Sequence, residues 1–369
     1  MKGANGMIHE GHIGHREAIA VVSLYSVTKI FLSFPEEMVK LGGTASWQIP
    51  LLSGIWTAIF VFLIYRLYVR TEGASIFEVA YAYGGKFFGG LSSLIYTLFF
   101  LALGSLILRE FTETVVATVL PGTPVSAVAI PFMLAILYIA YQGSEIFSRV
   151  GFIIAPIVFV GIAIIFLLNT NWMNPNYLLP IEGWGMSSVI YNSFFRTSMY
   201  GELFILVLLI PSFRKKQEFR KVCFWSLGIS IVALTLTILC YLMIFSSEEA
   251  SRLPFPMFQI SRMIYLGRFL QRIESIFIFL WVSSAVIKVG VSLWGATFSF
   301  AEGIRVPLYK PLLFPMAILM YTLSFVPKNF PEAANWDISI FRLWGGLIPF
   351  GFIVILYMLT LVRKERGNG

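Results

Sequence analysis

Three ionisable side chains stand deep inside long apolar runs: Lys29, Glu202 and Lys288. A charge at the centre of a membrane helix costs at least ~2.5–3.5 kcal/mol on insertion scales, so each such residue needs a partner or a task. A carboxylate and two ammonium groups could bind the charged ends of a small molecule, carry a proton, or tie helices together. In the first run Ser23, Ser26, Lys29 and Ser33 recur every three or four residues and share a helix face that ends at Pro35. Such a stripe suggests a helix that faces a cavity and breaks there, which makes Ser26, Thr28 and Lys29 candidate ligand contacts. The competing reading has the hydroxyls bonded to their own helix and Lys29 snorkelling towards the surface.

The second run reads Arg196-Thr197-Ser198-Met199-Tyr200-Gly201-Glu202 and continues apolar to Pro211. Glycine in a membrane helix, beside a carboxylate and hydroxyls, is the composition of a local unwinding that lines a site. Ser198, Tyr200, Gly201 and Glu202 are the candidates there. Alternatively Gly201 serves close helix packing and Glu202 pairs with Arg196. In the third run Trp281, Ser284, Lys288 and Ser292 fall at i, i+3, i+7 and i+11, again one face. Trp281 and Ser284 are candidate contacts. Lys288, with Arg196, is a candidate structural tether or coupling residue, since a cation held inside a bundle can stand in for a metal ion. The plainer alternative is a packing seam of small residues.

Metal and cofactor chemistry has little support. His9, His12 and His15 repeat every three residues, but the glycines between them argue against a fixed site. Gly84-Gly85 and Gly89-Gly90 flank Lys86 without a preceding strand, so a phosphate loop fails on context. No zinc spacing and no nucleophile–base pair is present. No cofactor, no metal and no enzymatic activity are expected.

The elements that must position these residues follow from composition. Of 369 residues, 58% are hydrophobic and 12% charged, about half the charge of a soluble domain. Mean hydropathy is +0.82. Disordered chains and disulfide scaffolds are excluded by the same numbers, with only 2 cysteines present. Continuous apolar runs of about twenty residues, with 35 Phe, point to helices rather than a barrel. Ten spans are expected, near residues 17–36, 48–69, 87–110, 125–142, 146–168, 186–212, 221–246, 273–299, 308–326 and 341–362. The net charge of +8 fits loop lysines and arginines, not nucleic-acid binding. These are about twice as frequent on the side of both termini, which places the termini in the cytoplasm. Residues 1–16 and 363–369 are then cytoplasmic tails around a single transmembrane domain, 17–362, with no cleaved leader. Two helices that do not span are expected, from Ser75 to Tyr83 and, amphipathic, from about Pro254 to Arg272, and Asn169 to Gly185 is expected as an external loop without regular structure. Cys223 and Cys240, on one apparent helix, are ~25 Å apart and cannot bridge.

Several segments together resemble the B-subunit family of bacterial spore germinant receptors, permease-type proteins of the amino acid–polyamine–organocation transporter superfamily. They are Gly85-Lys86-Phe87-Phe88-Gly89, Leu108-Arg109-Glu110-Phe111, Leu120-Pro121-Gly122-Thr123-Pro124, Gly143-Ser144-Glu145-Ile146-Phe147-Ser148-Arg149, and Gln271-Arg272-Ile273-Glu274 leading to Trp281. The resemblance runs from about residue 16 to 362. It implies an all-α polytopic membrane protein with a LeuT-like 5+5 inverted repeat, the repeats lying near 17–168 and 186–362. The first and sixth helices would be broken, with the ligand between them. The chain departs from the superfamily at the first break, where Ser26-Val27-Thr28-Lys29-Ile30 contains no glycine. Lys29 could there supply positive charge to a carboxylate ligand, or pair with Glu202 and fill the pocket.

The resemblance implies a nutrient-sensing subunit of a spore germination receptor in the inner spore membrane. A small amino acid-like ligand would bind between helices 1, 3, 6 and 8. The partners implied are a larger A-type membrane subunit and a C-type lipoprotein. The alternatives are an amino acid or amine permease, proton-coupled through Glu202, and a structural subunit whose buried charges are internal ties.

Overall fold

The structure is a computed structural model that describes residues 12–213, 215–264 and 274–366. The chain begins with α1 (His15–Val27), which tightens into a 3-10 turn at Thr28–Phe31 and breaks at Leu32. It resumes as α2 (Phe34–Gly42), followed by a 3-10 turn at Gly43–Ala45; the two halves meet at a bend of 71°. Pro35 lies in the first turn of α2, where a missing N–H costs nothing, so it starts the second half rather than ending the first.

The second span is α3 (Gln48–Arg70) and the third is α4 (Ile76–Thr118). The separate helix expected from Ser75 to Tyr83 is the first arm of α4, which has 43 residues. Helix length of that order is ~65 Å against a hydrocarbon core of ~30 Å, so α4 cannot be one straight span. It kinks at Gly85, whose φ of 79° and ψ of −171° suit only glycine. Ser75 caps its start, with Ser75 and Glu78 each bonding the other's backbone N–H.

The fourth and fifth spans are α5 (Val125–Gln142) and α6 (Ser144–Leu168), joined by Gly143 alone at φ 84°. Residues 169–185, expected without regular structure, contain 3-10 turns at Thr170–Trp172 and Pro175–Leu178. The sixth span is α7 (Met186–Phe195), a 3-10 stretch at Thr197–Phe204, then α8 (Ile205–Leu209) and a 3-10 turn at Ile210–Ser212. The seventh is α9 (Lys216–Ile244), which carries buried Cys223 and half-buried Cys240 as free thiols. Short helices α10 (Ser247–Ala250) and α11 (Pro256–Arg262) follow. The amphipathic helix expected to reach Arg272 thus ends at Arg262, and residues 265–273 lie outside the described ones. Its apolar residues Met257 and Ile260 are buried against the protein.

The eighth span is α12 (Glu274–Ile304) and the ninth is α13 (Leu313–Ser324), after a 3-10 turn at Lys310–Leu312. The tenth opens with α14 (Phe330–Asn335), widens into a π-helix at Trp336–Gly345, and ends as α15 (Leu347–Arg366). Among the described residues, eight helices are long and apolar enough to cross a membrane, nine with the bent first pair, and the apolar helix Lys310–Ser324 is shorter. These correspond in order to the ten expected spans. The sixth span is largely enclosed, while α12 packs against α4, α5 and α6 and α1 against α6 and α9. Large apolar side chains such as Leu134, Ile153 and Phe314 point outwards, as a lipid-facing surface requires.

Candidate functional site

The broken helices bring the buried charges to one point. Thr28–Phe31 and Thr197–Phe204 are both 3-10 segments, so their backbones pass closer and aim differently from α-helix. Lys29 leaves the first break and reaches Glu202 Oε2 at 2.7 Å, and its ammonium also donates to the Met199 carbonyl in the sixth-span break. Lys288 from α12 donates to Glu202 Oε1 at 2.9 Å. Arg342, from the π-helical turn of the tenth span, reaches the same oxygen at 3.3 Å through Nη1. Its Nε bonds Asp337 Oδ2 at 2.7 Å. All four partners are sealed: Lys29 and Glu202 are 1% exposed, Lys288 0% and Arg342 2%. A carboxylate so desolvated is tolerable only with this many charged donors.

A second buried carboxylate, Glu110 in α4, accepts a bond from Ser33 Oγ at 2.8 Å, immediately past the first break. Aromatic faces line the junction. Lys29 Nζ lies 5.6 Å from the Phe34 ring centre and 5.9 Å from that of Tyr200. Lys288 Nζ lies 5.8 Å above Tyr25, whose hydroxyl is 2.8 Å from Ser292 Oγ.

The other expected residues take separate places. Ser26 is buried, and its hydroxyl has no partner; Thr28 Oγ1 donates to the Leu24 carbonyl of its own helix. Lys29 does not snorkel. Ser198 Oγ is 3.4 Å from the Leu343 carbonyl, and Tyr200 donates to the Pro50 carbonyl at 2.7 Å. Gly201 sits in the 3-10 stretch, where a Cβ would stand 2.9 Å from Phe99, so unwinding and close packing coincide. Arg196 does not pair with Glu202; it donates to the Ile338 carbonyl at 2.9 Å. Trp281 packs between Phe111 and Phe277, at 4.8 and 6.0 Å, about two turns from Lys288. Ser284 donates to the Trp281 carbonyl of its own helix. His9 lies outside the described residues, among which no group of three or more His, Cys, Asp or Glu could hold a metal.

Sequence reasoning missed Asp337 and Arg342, and met Glu110 only inside a motif. The span expected at 341–362 leaves Asp337 outside and has Arg342 as its second residue. Their spacing of five residues fits one face of a π-helix, whose hydrogen bonds run i to i+5, and not of an α-helix.

Comparison with known proteins agrees with this architecture. The sialic acid symporter coupled to Na+, in its substrate-bound outward-open state, superposes with a TM-score of 0.63 at 14% identity, covering 95% of this chain and 90% of that one. Mhp1, a nucleobase-cation-symport-1 family transporter in a closed conformation, gives 0.60 at 11% identity, covering 98% and 94%. At such identities the likeness shows the fold alone, a LeuT-like arrangement of inverted five-helix repeats. Among relatives by sequence, spore germination protein KB of Bacillus subtilis (strain 168) is 22% identical over 373 residues, 98% of this chain and 99% of its own. GerQB of Bacillus cereus is 23% identical over 345 residues, 91% of each chain. The model of the spore permease family, described as spore germination protein, matches residues 12–333. A LeuT-like bundle whose matched residues include both helix breaks, Lys29, Glu202 and Lys288 is therefore a member of the spore germination protein family, of permease type.

Proposed function

We propose that this chain is the nutrient-sensing membrane subunit of a spore germination receptor. It binds a small amino acid-like molecule among the first, third, sixth and eighth spans and signals to a larger A-type membrane subunit and a C-type lipoprotein. It works in the inner spore membrane with both termini in the cytoplasm. The observation that carries the reading is the junction at Glu202. One carboxylate on the sixth span accepts bonds from the first, eighth and tenth. A charged ligand entering there must break at least one of these bonds, so binding and rearrangement of the bundle are one event. Signalling needs the ligand to prefer one arrangement; moving an equilibrium from 1:99 to 99:1 takes a preference of about 10⁴-fold. The names of the sequence relatives support this reading over catalysis.

Spores lacking this chain should lose germination with at least one L-amino acid and regain it when the chain is restored. An unchanged response to all the standard amino acids would overturn the proposal. Uptake of labelled amino acid into liposomes holding this chain alone would instead favour a permease, proton-coupled through Glu202.

A further inference from the structure

We infer that Arg342 is the docking point for the anionic end of the ligand, and that Glu110 and Asp337 take its cationic end, between the third and tenth spans. The inference rests on the nutrient-sensing reading and places one of its recognition sites outside the two helix breaks.

The argument starts from unmatched atoms. Arg342 uses Nε on Asp337 and Nη1 on Glu202, but Nη2 is buried with no partner. Asp337 Oδ1 and Glu110 Oε1 are likewise buried with no partner. Each residue is at most 5% exposed; Arg342 and Asp337 share a bond of 2.7 Å, and α4, which carries Glu110, packs against the π-helical turn that holds them. A buried donor or acceptor left unmatched costs ~1–3 kcal/mol, more when charged. Proteins keep such groups few, and three in one interacting cluster call for an occupant.

Their chemistry specifies it. Nη2 offers two N–H donors with positive charge, a match for a carboxylate oxygen. The two free carboxylate oxygens accept from an ammonium. A molecule with both ends satisfies all three atoms and adds no net charge. A carboxylic acid without the amine would leave the Glu110 and Asp337 oxygens unanswered; an amine without the acid would leave Nη2 idle.

The site is also wired to the junction. The guanidinium that would take the ligand's carboxylate holds Glu202 through Nη1. A second anion on the same guanidinium competes with Glu202, so docking loosens the bond that ties the sixth span to the tenth. Asp337 and Arg342 are kept on one face by the π-helix. Ser33, from the first break, holds the other oxygen of Glu110.

The test uses the whole chain purified into lipid nanodiscs, with ligand-induced thermal shift as readout. The probes are the twenty standard L-amino acids, each beside the acid lacking its amino group and the amine lacking its carboxylate. At least one amino acid should raise the melting temperature, with neither half-molecule doing so at ten times the concentration. Arg342→Lys keeps the charge but loses the fork and should weaken binding at least tenfold. Because Arg342 also bonds two acids, its variant could fold poorly. Glu110→Gln, which keeps an oxygen to accept from Ser33 and removes only the carboxylate, should fold and also weaken binding at least tenfold. Equal binding by a half-molecule would overturn the inference. So would full affinity in both variants with loss in Lys29→Met, which leaves the sensing reading intact and confines the ligand to the breaks. Silence of every probe would mean that the unmatched atoms hold only water, and would overturn it too; the spore assay then judges the sensing reading on its own.

Discussion

Glu202 divides its two oxygens unequally, Oε2 for Lys29 and Oε1 for Lys288 and Arg342. Its neutral variant should therefore do more damage than the loss of any single cation. Glu202→Gln leaves two sealed ammonium groups without a counter-charge, and breaking a buried pair in this way costs ~3–5 kcal/mol. The expected outcome is a clear fall in melting temperature of the purified protein. Lys29→Met and Lys288→Met each leave Glu202 with other donors. Since they share one carboxylate, their combined effect should differ from the sum of the singles by ~0.5–3 kcal/mol. Unfolding of the four proteins of that cycle checks it, and additivity would mean that the cations do not share Glu202. Lys29, Glu202 and Lys288 were legible in the sequence because a lone charge in an apolar run is conspicuous. Arg342 was not, because an apolar ruler starts the last span at residue 341 and leaves Asp337 outside it. Five residues on an α-helix also point ~140° apart, which hides the pair until the wider turn is seen.

At the scale of elements, both breaks are built from 3-10 turns, and glycine keeps the sixth-span break narrow. Gly201 faces Phe99 Cζ, at 2.9 Å from where a Cβ would stand, and a ring edge can shift. Gly346, just after the π-helix, faces Ser198 Cα at 2.7 Å, which is backbone of the opposite break and cannot yield. Gly346→Ala should therefore destabilise more than Gly201→Ala, the former by ~1–3 kcal/mol as an overpacking change. Thermal melting of the two variants side by side gives the answer; the reverse order would show that the π segment can slide away from the sixth span. The sequence signalled Gly201 as special, since glycine beside a carboxylate is rare in an apolar run. It did not say which helix approaches, because that is set by the packing of α4 and not by local residues. Within α4, the turn-like Gly84-Gly85 reads as a boundary, and Gly85, at a non-helical φ of 79°, separates the first arm from the span that follows.

For the whole molecule, ten spans in order and a lipid-facing apolar skin were readable from hydropathy, whereas the path of residues 169–185 was not. Orientation rests on the basic bias of the loops. With Cys223 and Cys240 changed to Ser, Asn176→Cys should react with an impermeant maleimide on sealed right-side-out vesicles. Lys215→Cys, on the opposite face, should react only after permeabilisation; the reverse pattern would invert the topology. Both native positions, Asn176 and Lys215, are exposed, so access is set by side and not by packing. Residues 169–185 also touch the far end of the first span and the start of α3. Thr44 donates to the Pro180 carbonyl, Gln48 donates to the Ile181 carbonyl at 2.9 Å, and Trp184 lies over Gly43. The far half of the first span is thus geared to the chain that joins the two five-helix units. If α2 tilts, residues 180–184 must travel with it or peel off, and α7, which begins at Met186, is pulled at its root. Such a connector would act as a transmission rod: a swing in the first unit would arrive in the second mechanically, without passing through the charges at the centre.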